Sequence, residues 1–306
     1  MKKGKTKKYE VNAIPTYANV LIHAFFVVWS ALCIIPILLV LGISFSSESS
    51  ILANGYQFIP SEFSLVSYQY IVENAGMLLK AYGVSIASTV IGTALSLAVM
   101  TLFAYPLSRK YFKYRNLFSF LLFFTMVFSG GTVATYMVYT QVLHLKNNYL
   151  EYIWPYLMNA WNVIILRTFI TNTIPDELSE AAKIDGAGEF RILLQIVVPL
   201  LKPGIATVGL FTAIGLWNDW YTPSLFVTDV NKFNMQYLLY SMLTNVQFLK
   251  SNMDKVGGSG AAILANMPTE GIRMAMTIMV IAPIVVAYPF FQRYFVKGIT
   301  IGAVKG

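Results

Sequence analysis

Trp217-Asn218-Asp219-Trp220-Tyr221 sets an amide and a carboxylate among aromatic rings in a chain that is otherwise strongly apolar. Such rings cover the apolar faces of a sugar while the polar groups take its hydroxyls, so the stretch has the chemistry of a carbohydrate contact. A Trp/Tyr belt capping a helix at a membrane interface would use the same residues, and the sequence leaves both readings open. Asp219 is costly wherever hydrocarbon surrounds it, by about 2.5–3.5 kcal/mol at the bilayer midplane and less toward the interface. Asn159 and Asn162, either side of Trp161, carry amides that are unfavourable in hydrocarbon when uncompensated, so they should face the protein interior or a pathway. In Ser129-Gly130-Gly131-Thr132 the adjacent glycines open a helix inside a bilayer only where protein or a water-filled cavity satisfies the freed backbone. Close helix packing is the competing account. The candidate pathway residues are therefore Gly131, Asn159, Asn162, Trp217, Asn218 and Asp219.

Covalent chemistry has almost no material here. His23 and His144 are the only histidines and Cys33 the only cysteine, which excludes an intrachain disulfide and a Cys-rich metal site. His23 reads as an uncharged residue near a membrane interface. No G-x-x-x-x-G-K-[ST] loop occurs, so the chain does not cradle nucleotide phosphates in the usual way. Neither a catalytic centre nor a metal or cofactor bound by this chain is expected, and if it takes part in powered work, the energy must arrive mechanically from a partner.

The elements that must hold these residues are membrane helices. Of 306 residues, 57% are hydrophobic and 12% charged, and the apolar ones come in blocks of about twenty that no soluble core of this size could bury. An all-α polytopic fold with six transmembrane helices follows, over about 20–43, 82–106, 117–140, 152–171, 203–226 and 273–295. The net charge of +8 is not a nucleic-acid signal, because its basic residues flank the apolar blocks. Lys2, Lys3, Lys5, Lys7 and Lys8 open the 1–19 tail, Arg109, Lys110, Lys113 and Arg115 follow the second block, and Arg293 and Lys297 follow the last. Both termini, the second being 297–306, are then cytoplasmic, with 20–296 as one transmembrane domain. The 109–115 cluster is explained by this topology alone. Ser85, Ser88, Thr89, Gly92 and Ser96, spaced by threes and fours, read as a helix-packing face in preference to a substrate contact. The long segment 227–272 lies outside; it carries a Gly257-Gly258-Ser259-Gly260 stretch and an Asn266-Met267-Pro268-Thr269 turn and is expected to hold short helices.

One charged island interrupts the pattern: residues 173–203, with Glu180 to Pro203 reading EAAKIDGAGEFRILLQIVVPLLKP. Thr173 and Asp176 have capping-box spacing, and Pro175 suits a first turn. Ile174, Leu178, Ala181 or Ala182, and Asp185 recur at the helical period until Gly186 interrupts. A second short helix, with Phe190, Leu193, Leu194 and Val197 on one side, runs to Pro199. The result is helix, sharp bend, helix. A helix pair resting on lipid would show the same periodicity. Arg167, at the inner end of the fourth block, can reach lipid headgroups or pair with the acidic first helix.

Glu180, Ala181, Ala182, Gly186, Ile196 and Pro199 resemble the cytoplasmic EAA loop of ABC import permeases, with Val198 where the usual pattern has leucine. Asp185-Gly186-Ala187 and Pro199-Leu200-Leu201-Lys202-Pro203 resemble its carbohydrate-uptake, maltose-type branch. Phe128-Ser129-Gly130-Gly131, Trp161-Asn162 with Arg167-Thr168-Phe169, and the ending Lys297 to Gly306 are similar to the lipoprotein/aldouronate-oligosaccharide subgroup. The resemblance implies a type I importer permease fold in a bacterial cell membrane. Its partners would be a homologous second permease, two ATPase subunits using ATP and Mg, and an extracytoplasmic solute-binding protein. Glu180, Ala181, Ala182, Asp185, Gly186 and Pro199 would form the ATPase-coupling set, and Lys305 and Gly306 would place the tail where it reaches between the ATPases. The function implied is alternating-access import of a sugar or oligosaccharide. A stand-alone ion-coupled transporter and a membrane scaffold without transport are the competing functions; for ion coupling only Asp219 supplies a carboxylate within the blocks.

Overall fold

The computed structural model describes residues 15–251 and 270–303. The basic tail, the Gly257–Gly260 stretch, the Asn266–Thr269 turn and the end at Lys305 and Gly306 lie outside the described residues. Their regular structure is helical, apart from an isolated bridge between Ser46 and Phe63, as expected for backbone that must satisfy its own hydrogen bonds in lipid. In chain order the helices are α1 Thr16–Ser44, α2 Glu48–Asn54, α3 Val66–Glu73, α4 Ala75–Ser108, α5 Arg115–Val127 and α6 Gly131–Met137. Then follow α7 Leu150–Ile153, α8 Ala160–Thr173, α9 Asp176–Ile184, α10 Glu189–Ile192, α11 Val198–Leu200, α12 Lys202–Trp217, α13 Tyr221–Phe226, α14 Met235–Ser251 and α15 Glu270–Ala303.

The chain forms two compact units. The first holds residues up to Gln69 together with Pro268–Ile278. Its long helix α1 exposes apolar side chains along nearly its whole length, the pattern of a helix solvated by lipid or by another membrane chain. Below it Phe45 stacks on Phe63 and Tyr68, and Ser47 caps α2 by accepting from the Ser50 amide at 3.1 Å.

The second unit holds Tyr70–Met267 and the chain from Met279 onward, and its centre is α4. Ser85, Ser88, Gly92, Ser96, Met100 and Ala104 are buried, one stripe at spacings of three and four. Small residues there let α12 come close: a Cβ at Gly92 would stand 2.8 Å from Leu216 Cδ1. This is the packing role expected of the stripe. Met100, Val163, Leu166, Ile170, Val197 and Val208 then form one core where α4, α8 and α12 meet the π-helical turn Leu193–Val197.

Three of the described helices are long and apolar enough to cross a membrane: α1, α4 and α15 over Glu270–Pro289. Two bent pairs raise the number to five if each is one span, Arg115–Val127 with Gly131–Val142 at 114° and Glu189–Leu200 with Lys202–Trp217 at 80°. The block expected at 152–171 is not one helix. It breaks into α7, a 3-10 turn at Trp154–Tyr156 and α8, whose 14 residues extend about 21 Å, short of a hydrocarbon core of about 30 Å. Asn159 causes the restart, since its side chain caps α8 by accepting from the Asn162 amide at 3.1 Å.

Candidate functional site

The charged island folds as helix, bend, helix, and its bend has a local cause. After α9 ends, Gly186 sits at φ 82°, the left-handed region that costs an ordinary residue about 1–2 kcal/mol. The Gly186 amide donates to Lys183 O at 3.0 Å and the Ala187 amide to Ala182 O at 2.9 Å. That hydrogen-bond pair is the Schellman motif, which closes the last carbonyls of a helix and turns the chain away. Ala182 and Ala187, brought together by it, pack against the core cluster. Asp185 is the C-cap, while Glu180, Ala181, Ile184 and Phe190 stand exposed. Pro199 lies in α11, directly after the π-helical turn, where its missing amide proton suits a locally widened helix.

Details of the loop differ from expectation. Thr173 belongs to α8 and Pro175 is the N-cap of α9, with no side-chain cap bond, so the capping box does not form. The helix instead begins on Asp176, whose carboxylate at the positive end is held by Arg109 Nη1 at 3.3 Å and by Lys110 Nζ at 3.6 Å. Phe190 and Leu194 do not share a buried side with Leu193 and Val197: the first two are exposed and the last two buried, because the wide turn rotates the face. Arg167 reaches Ser119 Oγ at 3.3 Å, not the acidic helix.

Glu189, first residue of α10, is the most heavily bonded carboxylate of the loop. It accepts from Tyr105 Oη at 2.7 Å and from Tyr111 Oη at 3.0 Å, and pairs with Lys183 Nζ at 2.6 Å. Partial burial opposes its ionisation, but these three donors outweigh it and hold the carboxyl below the usual range. The Glu189 hydrogen bond raises the Lys183 ammonium in turn.

The pathway candidates are placed less uniformly. Asn159 and Asn162 line one cavity of about 350 Å³ with Tyr156, Trp161, Phe211 and Thr212. Asn162 is buried and donates from Nδ2 to Thr212 Oγ1 at 3.3 Å, tying α8 to α12. Gly131 does not line that cavity; it starts α6 at φ 78°, its amide bonded to Ser129 Oγ at 3.2 Å, and so forms the 114° break. Trp217 is buried and donates to Val280 O at 3.2 Å. Asp219, also buried, accepts from the Thr222 amide at 2.9 Å, capping α13. Asn218 is exposed and accepts from Gln236 Nε2 at 3.1 Å. Thr132 and Tyr221, neighbours of Gly131 and Asp219, join their hydroxyls at 3.2 Å.

Three features escaped the sequence reading. Arg109 is 1% exposed, while Lys110 beside it is 82% exposed; charge counting treats the two alike. A cavity of about 600 Å³, lined by Lys80, Ser88, Tyr149, Tyr152 and Asn231 among others, combines aromatic, cationic and amide groups that lie far apart in sequence. Glu151, on α7, is fully buried with neither carboxylate oxygen partnered among the described residues.

An all-α chain with several helices of membrane-spanning length and polar groups buried between them is a polytopic membrane protein. The chain belongs to the family described as the binding-protein-dependent transport system inner membrane component, whose model matches residues 11–301. It is 36% identical over 288 residues to the polygalacturonan/rhamnogalacturonan transport system permease protein YtcP of Bacillus subtilis, covering 94% of this chain and 98% of that one. It is 37% identical over 276 residues to protein LplC of the same organism, covering 90% of each. Among solved structures it resembles a chain of a bacterial ABC transporter involved in the import of the acidic polysaccharide alginate, with a TM-score of 0.77, 26% identity and coverage of 91% of this chain and 96% of that one. The protein is thus a multi-pass permease subunit of the ABC importer type in a bacterial membrane.

Proposed function

We propose that the chain forms half of the translocation pathway for a sugar or oligosaccharide and couples it to ATPase subunits by alternating access. Loop 173–203 is the coupling element, and Glu180, Ala181, Ala182, Asp185, Gly186 and Pro199 are its working residues. The observation that carries this is Ile184 and Phe190, 87% and 72% exposed on either side of the Gly186 bend. Large apolar side chains at such a tip call for a protein cover. A lipid surface fits less well, because α9 and its cap present Asp176, Glu177, Glu180 and Asp185 against Lys183 alone, whereas helices that lie on membranes are rich in lysine and arginine. The loop is therefore cytoplasmic, docked on one ATPase, with both termini on the same side and six spans in all, the broken α7–α8 segment counting as one. The partners are a homologous second permease, two ATPases that use ATP and Mg, and an extracytoplasmic solute-binding protein.

The pathway runs past Asn159, Asn162 and Asn218 and the opened helix at Gly131, with Trp217 and Asp219 fixing the wall through their bonds to α15 and α13. One relative is named for polygalacturonan/rhamnogalacturonan transport and the solved transporter for alginate import, so fragments carrying uronic acids, in line with the aldouronate-oligosaccharide subgroup, are the first substrates to try. The test is uptake by vesicles holding the two permeases, the ATPases and the binding protein, with labelled acidic and neutral oligosaccharides. Uptake should need both internal ATP and binding protein. Uptake by this chain alone, driven by an ion gradient without ATP, would reverse the reading in favour of a secondary transporter; assembly without any uptake would favour a scaffold.

A further inference from the structure

Residues 105–111 join the end of α4 to the next turn, and each polar side chain they send toward the loop lands on the first residue of one of its two helices. Arg109 bonds Asp176, which opens α9; Tyr105 and Tyr111 bond Glu189, which opens α10. Lys183 closes the figure from the far side of the bend, pairing with Glu189 at 2.6 Å while its ammonium lies 3.7 Å from the centroid of the Tyr111 ring. The Arg109 guanidinium lies 5.0 Å from the centroid of the Tyr105 ring. Both helices flanking Gly186 are thus gripped from one place, at a point where the helix dipole already favours the acid.

We propose that Tyr105, Arg109 and Tyr111 are positioning residues that make α4 a driven element, so that movement of the coupling loop reaches the pathway through α4 as well as through α8 and α12. The inference rests on the reading of this loop as the ATPase-docking element. Arg109 is buried, so the contact is not a solvated surface pair whose partners drift apart at little cost. Its Nε and Nη2 have no partner among the described residues, which leaves donors ready for a shifted loop. Helix α4 is also continuous over 34 residues, from Ala75 to the grip, and it carries load at its other end. There Ser85 Oγ accepts the Met235 amide, the first of α14, at 2.9 Å. A displacement at Glu189 has a rigid, packed path to the far side of the unit.

The experiment uses the reconstituted assembly of permeases, ATPases and binding protein, and reads sugar taken up per ATP hydrolysed. The double change Tyr105→Phe with Tyr111→Phe removes only two hydroxyls. It should leave ATPase co-purification and basal hydrolysis unchanged and lower sugar per ATP about tenfold, the scale expected for losing hydrogen bonds to a charged group. Asp176→Asn should also lower the ratio at the other point, and Asp176→Glu should keep it close to wild type. A ratio equal to wild type in the double variant, or in Tyr111→Phe alone should the double variant fail to assemble, overturns the grip. A wild-type assembly that hydrolyses ATP and moves no oligosaccharide instead overturns the proposed function, and the two failures are distinct.

Discussion

The charged loop 173–203 and the cavity between α8 and α12 use the same kinds of side chain in different ways. In the loop, Asp176 and Glu189 sit at helix starts, each held by donors from another element, and the apolar tip residues Ile184 and Phe190 are left uncovered. In the cavity region the polar groups are largely spent on the protein itself: Asn159 caps α8, Asn162 ties α8 to α12, and Asp219 caps α13. A polar residue in a membrane domain is therefore weak evidence of a ligand until its partners are known, whereas exposed apolar groups on a charged loop point outward to another chain. The loop offers a surface; the cavity region offers mainly a scaffold with part of a surface.

The largest effect should come from breaking the loop's shape while leaving the scaffold untouched. Gly186→Val places a β-branched residue at φ 82°, and no atom lies within 4 Å of the Cβ it would add, so backbone strain alone decides the outcome. That strain is at least about 1–2 kcal/mol, and relieving it opens the Schellman turn. Membrane insertion should persist, while ATPase association and uptake are lost. Gly186→Asn, which tolerates this conformation better, should keep much of both. Co-purification of the ATPases and transport at wild-type level in Gly186→Val would remove the bend from the mechanism.

A smaller effect separates two glutamates. Glu189 in the loop has three donors and is held ionised; Glu151, in the connection before α8, has none among the described residues. A carboxylate buried without a partner costs stability, because burial strips its water and nothing replaces it. Glu151→Gln, which keeps the shape and removes the charge, should therefore raise the melting temperature of the assembly. Equal melting temperatures for the two proteins would show that Glu151 is better solvated than its surroundings imply.

The two regions also differ in how legible they are in sequence. The bend could be read because its causes are local: Gly186 needs a left-handed backbone, and the bonds that close the turn join residues only three and five apart. The small-residue face of α4 was legible for the same reason, since helical spacing alone puts Ser85, Ser88, Gly92 and Ser96 on one side. What could not be read depends on tertiary pairing. Arg109 and Lys110 are adjacent and chemically alike, yet one is buried against Asp176 and the other is exposed. The cavity at Lys80, Tyr149 and Asn231 brings together three separate segments. The break before α8 was missed because Asn159, counted as a polar residue within a span, acts as a cap and starts a helix there.

The smallest effect tests whether Asn162 is scaffold, surface or both. Its Nδ2 bonds Thr212 Oγ1, and Thr212 in turn donates to Val208 O at 2.9 Å, so the threonine keeps a partner when the asparagine is removed. Interhelical hydrogen bonds of this kind average about 0.6 kcal/mol in membrane proteins and reach about 1.7. A double-mutant cycle of Asn162→Ala and Thr212→Val should return a coupling energy in that range when read by thermal unfolding of the intact assembly. Because Asn162 also lines the cavity, Asn162→Ala should raise the KM for uptake beyond what the coupling accounts for, with assembly intact. A full coupling energy together with wild-type uptake kinetics would assign the residue wholly to the scaffold, and would leave the substrate to Asn159, Asn218 and the partner permease.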